Sequence, residues 1–332
     1  MSKPTVPKPI GSLSLDLDNK WAYLRTHGLE SWKAYPSYLR EVSERCGDFF
    51  NRHAVKATVF VVGKDLEQQD NREAVADLAA AGHEIGNHSY WHYPWLDTLP
   101  ADELESEVAD SEAAIEALVG GRPIGFRAPG FSGSPLLLEI LARRGYEYDA
   151  STFPTVIGPL AAWYARLKSF GKTEDDAKQK FATLRSGFGT LAPHVLQTPA
   201  GPIAEVPVTT MPLFRIPIHV TYLLYLRQFS ASLASLYMRT AISLCRFRGV
   251  APSLLLHPLD FLGGDEEPEL AFFPGMQLPR EAKIALVDEL VEQLSAHYSL
   301  GTVADQARSA CPSLTSDAAL LVPAERELAS HQ

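Results

Sequence analysis

The chain has 332 residues, of which 46% are hydrophobic and 21% charged, and it carries a net charge of −10. Those values suit a well-packed globular protein of one large domain or two ordinary ones. The acidic balance and the absence of any Lys/Arg-rich run argue against a nucleic-acid or anionic-membrane binder.

The opening "MSKPTVPKPIGS" has no apolar core, so no signal peptide is expected, and no apolar stretch is long enough to span a bilayer. Cys46, Cys245 and Cys311 match no metal or redox spacing and read as reduced thiols. Together these features predict a soluble cytoplasmic protein.

Residues 1–11 read as a flexible N-terminus, 12–300 as one domain and 301–332 as a C-terminal tail. Strands are predicted at 12–17, 57–62, 83–88, 123–128, 146–151, 203–208 and 253–257. Helices are predicted at 35–52, 72–81, 101–118, 135–143, 230–247 and 280–297. Pro100 and Pro135 suit helix starts; Gly82, Gly120, Gly145 and Gly249 suit helix ends. Segment 155–200 shows helical pattern but no clear strand and reads as an insertion over one face. Alternating strands and helices imply parallel strands joined by right-handed crossovers, in a barrel or a doubly wound sheet.

Asp16, Asp18, His88, Arg127, Asp149 and His257 all fall at the carboxyl ends of predicted strands, the end at which parallel α/β folds build sites. Asp16 and Asp18, two apart, would point to the same side of a strand and repel unless a cation or a shared proton intervened. One could bind a metal while the other accepts a proton from water; the alternative is a helix cap. In "NHSYWHYP", His88 and His92 are four apart and would share a face of a helical turn, within reach of one ion. Two histidines and a carboxylate leave an open coordination position, the pattern of a catalytic site.

In "GFRAPGF", Arg127 beside a base carboxylate would fix its orientation. The Pro129–Gly130 turn could aim a backbone N–H at a developing oxyanion. His257, at the mouth of an apolar run, is placed to protonate a leaving amine, with Asp149 or else Asp260 holding its other ring nitrogen; alone, it could equally be a core histidine.

This set resembles the polysaccharide deacetylases, carbohydrate esterase family four with its chitooligosaccharide-deacetylase homology domain. The motifs run in that family's order: "LDLD" at 15–18, "HSYWH" at 88–92, "RAPG" at 127–130, "YDAS" at 148–151 and "LLLHP" at 254–258. The resemblance spans about residues 12–300. It implies a distorted (β/α) barrel of fewer than eight strands, here about seven parallel ones in a single domain, and a divalent metal, usually Zn2+. From its position over one face, the helical insertion at 155–200 could act as a lid.

By the same resemblance, Asp18, His88 and His92 would be the metal ligands, Asp16 the base tuned by Arg127, Gly130 N–H the oxyanion donor and His257 the acid. Leu17 separates the two aspartates where the family usually has them adjacent. This Asp-x-Asp form is similar to intracellular peptidoglycan-deacetylase-like and allantoinase-like members, and to a deformylase of a lipid-linked sugar. Trp91, Trp95 and Phe131 are candidate substrate contacts, as is Trp163; the tryptophans could instead fill the core. The apolar run 211–226 reads as a groove or membrane-facing patch for a lipid-linked sugar, or as an ordinary buried stretch.

The expected activity is a metal-dependent hydrolase of C–N bonds that removes an acetyl or formyl group from a free, nucleotide-linked or lipid-linked amino sugar. The alternatives are an allantoinase-like hydrolase of a non-sugar C–N bond and an inactive metal- or carbohydrate-binding module.

Overall fold

The structure, a computed structural model, describes residues 7–155, 189–312 and 314. Eleven strands form among them: β1 (Ile10–Asp16), β2 (Thr58–Val61), β3 (Glu84–Asn87), β4 (Gly125–Phe126), β5 (Tyr148–Asp149), β6 (His194–Thr198), β7 (Gly201–Glu205), β8 (Thr210–Met211), β9 (Ile216–Pro217), β10 (Ser253–Leu256) and β11 (Ser299–Gly301). One sheet runs in the order β10-β1-β2-β3-β4-β5-β7-β6, with β11 added beside the start of β1. From β10 to β7 every pairing is parallel, which makes the seven parallel strands expected from the sequence. β6 pairs antiparallel with β7 as a hairpin, and β8 and β9 form a separate two-stranded ribbon.

The sheet is curled into a half-barrel, and β1 explains how. Along "IGSLSLD", Leu13 and Leu15 belong to the main apolar core, where α2 (Leu39–Arg52), α6 (Val220–Phe229), α7 (Ala231–Arg248) and α8 (Arg280–Ser295) also bury side chains. Ser12, Ser14 and Asp16 point to the opposite, concave side. There Ser14 and Asp16 both bind Arg127, from just beyond β4, at 2.7 and 2.8 Å. In a flat sheet β1 and β4 would be three strand spacings apart, about 14 Å. Direct contact between them requires the sheet to close around its own lumen.

On the outer face, α4 (Ala101–Val119) and α5 (Pro135–Arg143) bury Leu104, Val108, Leu137, Ile140 and Leu141 in a second core with Phe126 and Ile203. Helix α1 (Lys20–Thr26) follows β1, and α3 (Gln69–Ala80) packs beside α2. Left-handed Gly120 and Gly249 terminate α4 and α7, as the sequence suggests.

The sequence-derived boundary at residue 300 needs correction. Residues 303–310 form α9 (Val303–Ala310), capped by Thr302 and Asp305, not a loose tail. Its Val303, Ala304 and Ala307 pack with the lumen residues Phe60, Tyr148, Ala150 and Ala204. The Val303 N–H donates to Thr58 Oγ1 at 2.8 Å, at the start of β2. The helix is amphipathic, with Val303, Ala304 and Ala307 on one buried face, but at eight residues it is short for a periodic pattern to be read. The insertion 155–200 likewise ends in a strand, β6; its residues 156–188, Trp163 and the lid reading among them, lie outside the described residues. Of the apolar run 211–226, Met211, Ile218, Val220, Leu223 and Leu224 are buried, whereas Leu213, Phe214 and Tyr225 are exposed.

The three thiols are free and buried: Cys46 in α2, Cys245 in α7 and Cys311 just past α9. Burial pushes the Cys245 thiol up to about 12 and holds Cys46 well above the ordinary thiol range.

The lumen is tightest where β4 meets β5. A Cβ on Gly125 would lie 2.0 Å from Tyr148 Cζ. The Tyr148 ring is fully buried and its hydroxyl donates to Glu84 at 2.8 Å, so it has nowhere to retreat. Gly125→Ala is expected to destabilise the fold by about 2–3 kcal/mol in urea titration. A change below about 0.5 kcal/mol would show that the ring moves freely.

Candidate metal centre

Three ligand-type side chains converge at the carboxyl ends of β1 and β3. Asp18, His88 and His92 are buried, and their donor atoms all lie within 4.8 Å of one another. Asp18 Oδ1 is 3.0 Å from His92 Nε2 and 3.3 Å from His88 Nε2. Neither approach has hydrogen-bond alignment, so this oxygen is buried without a partner. His88 Nδ1 meets the Arg127 carbonyl at 2.7 Å. With the proton on Nδ1, donated to that carbonyl, the Nε2 lone pair is left facing Asp18.

The electrostatics agree with this arrangement. Burial alone would raise the Asp18 carboxyl, but the His92 and His88 imidazoles outweigh it and hold it well below the usual range. Burial lowers His92, keeping it neutral as a ligand must be. Against the same burial penalty, Asp16 and Asp18 raise His88. That is the mark of excess negative charge that a cation would balance. Asp, His and His with one side open form the donor set of a catalytic divalent-metal site, and these residues fit one.

The convergence arises differently from the sequence expectation. β1 ends at Asp16, and a tight turn with the Asp18 N–H donating to the Asp16 carbonyl at 2.9 Å swings the second carboxylate round. His88 and His92 do not share a helical turn. Ser89 and His92 are left-handed, at φ 63° and 54°, and the loop folds back on itself to bring the rings to 5.1 Å. Such backbone strain persists only where surroundings enforce it, and here three side chains do. Asn87 Oδ1 accepts from Ser89 N–H, Glu107 of α4 accepts from Tyr90 and Trp91 N–H, and Arg25 of α1 donates to the Trp91 and His92 carbonyls. These residues carry no local signal; only the packing of α1 and α4 brings them in.

Arg127 is fully buried. Besides Ser14 and Asp16 it donates from Nε to the Ala150 carbonyl at 2.9 Å, and its guanidinium lies 4.4 Å from the centre of the Phe60 ring. Asp16 is thereby fixed, with its other oxygen 3.9 Å from His88 Nε2. In the following turn Gly130 is left-handed at φ 60°. The turn's own bonds run from Phe131 N–H and Ser132 N–H, which leaves Gly130 N–H out of its pairing.

Phe131 heads a row of rings: it stacks on Phe153 at 4.9 Å, Phe153 lies 6.2 Å from His219, and His219 lies 4.9 Å from His257. Trp91 and Trp95 stand apart from that row; Trp91 lies under Lys64 and Trp95 beside Tyr93.

The expected carboxylate partner of His257 is not there. Asp149 accepts from Ser151 at 2.5 Å and faces Glu205 across the β5–β7 pairing. Burial raises both acids, Glu205 well above its ordinary range because Asp149 adds to the penalty. Asp260 takes the His257 backbone N–H at 2.8 Å, leaving the ring Nδ1 buried and unpartnered. The sheet register commits Asp149 to its neighbour on β7, a pairing that β5 alone does not reveal. Lys283 of α8, fully buried, holds this turn by donating to the Leu259 and Leu262 carbonyls at 2.9 and 2.7 Å.

Below the acid pair, Asp65 Oδ1 accepts from Asn19 Nδ2 at 2.7 Å and Trp21 Nε1 at 2.6 Å, while its Oδ2 is buried without a partner. Burial pushes this carboxyl up to about 7. A folded-state value above the unfolded one means that the stabilisation is full below about pH 4 and is lost as pH rises through about 7. Urea titrations from pH 4.5 to 8 should therefore show the wild type losing on the order of 3 kcal/mol relative to Asp65→Asn. Parallel profiles would mean that Asp65 stays ionised throughout.

A sequence model described as polysaccharide deacetylase matches residues 32–148, a stretch that contains both histidines, Arg127 and Gly130. A chitin deacetylase of Pestalotiopsis sp is 34% identical over 110 residues, 33% of this chain and 37% of that protein. The peptidoglycan deacetylase of Helicobacter pylori is 31% identical over 118 residues, 36% of this chain and 38% of that protein. The matched stretch thus spans well under half the length of these relatives. Over nearly the whole chain the fold matches a Mycobacterium smegmatis protein assigned to the polysaccharide deacetylases, with a TM-score of 0.60 at 18% identity and coverage of 94% and 93%. On these matches residues 32–148 are similar in sequence to polysaccharide deacetylases, and nearly the whole chain shares the fold of a protein assigned to them.

Proposed function

We propose that this protein is a metal-dependent deacylase that hydrolyses the N-acetyl or N-formyl amide of an amino sugar. The observation that carries the reading is Asp16, a buried carboxylate clamped by Arg127 and standing 3.9 Å from a ligand histidine without joining the Asp18–His88–His92 cluster. A divalent ion held by Asp18, His88 and His92, with zinc the expected one, would supply Lewis-acid polarisation and an acidified water.

Each remaining task falls to a residue of the chain. Asp16 accepts the proton of the attacking water, and Arg127 holds its carboxylate in place. Gly130 N–H donates to the carbonyl oxygen as charge develops there. His257 delivers a proton to the sugar nitrogen as the C–N bond breaks, so that a carboxylic acid and a free amine leave. The ring row from Phe131 to His257 offers one apolar wall for a sugar face. Relatives named for chitin and peptidoglycan support an N-acylated amino sugar as the substrate class.

The test pairs elemental analysis of the zinc-reconstituted protein with acetate and formate release from free, nucleotide-linked and polyprenyl-linked N-acyl amino sugars. One equivalent of zinc with acid release is expected. Zinc without release from any of them would overturn the substrate class. Asp18→Ala should lose stoichiometric zinc with an unchanged circular-dichroism spectrum; retained zinc would move the site elsewhere. Asp16→Asn should keep the metal and lose turnover, and His257→Ala should slow turnover by ~10²–10⁴. A near-normal rate in either would reassign that proton.

A further inference from the structure

From Val206 to Leu259 the chain contains five arginines and no aspartate or glutamate, although acids number 40 in 332 residues overall. This stretch includes the helical hairpin α6–α7, whose outer surface is apolar. Phe229 at its tip is 68% exposed, Leu236 63% and Phe247 78%, and Tyr225 and Leu233 are also exposed. Tyr225 and Phe229 pair on α6 with ring centres 5.1 Å apart.

On α7, Leu233, Leu236 and Phe247 fall in one stripe at helical spacing, opposite the buried Ala234, Met238, Ala241 and Cys245. Arg239 and Arg246, seven apart, flank that stripe. Among the described residues, Arg227, Arg239, Arg246 and Arg248 make no ion pair. The acid nearest in bonding terms is Glu289 of α8, which accepts from Ser235.

We infer that the α6–α7 hairpin docks on the anionic surface of a lipid bilayer. A solvent-facing row of large apolar side chains bordered by unpaired arginines is the chemistry of interfacial insertion: rings and leucines enter the acyl boundary while guanidinium groups meet phosphates. The net charge of −10 counts against such contact only when spread over the whole surface. Here the hairpin that carries the apolar stripe has no acid of its own, so charge complementarity is local. No helix among the described residues is long and apolar enough to cross a membrane, which fits a helix pair lying on the surface.

The hairpin also leads to the candidate site. Helix α6 begins after His219, beside His257, and ends at the exposed Phe229 about 15 Å along its axis. A docked hairpin would hold the open side of the site near lipid headgroups, where an amino sugar on a lipid carrier is presented. The inference stands apart from the deacylase reading, because its assay measures partition and no turnover.

The full chain is sedimented with phosphatidylglycerol–phosphatidylcholine vesicles and with pure phosphatidylcholine vesicles. Binding to the anionic vesicles that weakens with salt is expected, with little binding to neutral ones. Arg239→Ala/Arg246→Ala should weaken partition about thirtyfold, at the usual contribution per basic residue near such a surface. Phe229→Ser/Leu236→Ser should weaken it at least tenfold; both pairs are exposed, so the fold is retained. Absence of binding, equal binding to neutral vesicles, or binding untouched by either variant would overturn the inference. So would a concentration-dependent dimer in lipid-free sedimentation that the Phe229/Leu236 variant abolishes, since a second copy would then be the occupant of the face.

Discussion

A guanidinium with no access to water sits inside the half-barrel, and much of the molecule is arranged to satisfy it. Arg127 must find partners for its donors and a counter-charge for its cation, because an unpaired buried charge would cost several kcal/mol. Nε and Nη1 find them in Ser14 and Asp16 on β1 and the Ala150 carbonyl after β5, and the cation lies against the face of Phe60 on β2. Four strands are thereby tied at one level of the lumen. The serines of β1 leave room for the long side chain, and Asp16 becomes immobile because its loss would strand the cation. The same residue's backbone carbonyl orients His88, so one side chain and its own main chain set both the base and a ligand.

The two ends of the lumen are treated oppositely. At the amino ends of the strands, α9 plugs the opening with Val303, Ala304 and Ala307. At the carboxyl ends four site atoms are buried without hydrogen-bond partners: Asp18 Oδ1, His92 Nδ1, Arg127 Nη2 and His257 Nδ1. Buried polar atoms are nearly always paired, and a cluster of exceptions marks a place built for something else to occupy. Packing thus closes one end, and these four atoms gather at the other, the end at which parallel α/β folds build sites.

What the sequence discloses follows from how local each cause is. The seven parallel strands are legible as short β-rich runs bounded by turn residues, and five of them close on a polar residue at the rim: Asp16, His88, Arg127, Asp149 or His257. The set Asp16, Asp18, His88, His92 and Arg127 is legible as an ordered motif, and the structure brings all five together. Its geometry is not legible: the left-handed loop from Ser89 to His92 depends on Asn87, Glu107 and Arg25, which lie on three different elements. The pairing of Asp149 with Glu205 depends on sheet register, and the helix at 303–310 depends on a cavity that only the closed sheet creates. Fold and motif are written in periodicity; orientation is written in tertiary contacts.

The three buried thiols have a use that follows from their placement. Each is held in its protonated, unreactive form, and each sits in a different part of the structure: Cys46 on α2 against the main core, Cys245 on the inner face of the α7 hairpin, Cys311 just beyond the helix that plugs the lumen. An alkylating reagent can reach a thiol only when its own element lifts away, so the order in which the three are labelled reads out the order in which the core, the hairpin and the plug open. Three cysteines that take no part in the proposed chemistry thereby serve as built-in clocks of local unfolding, one for each region.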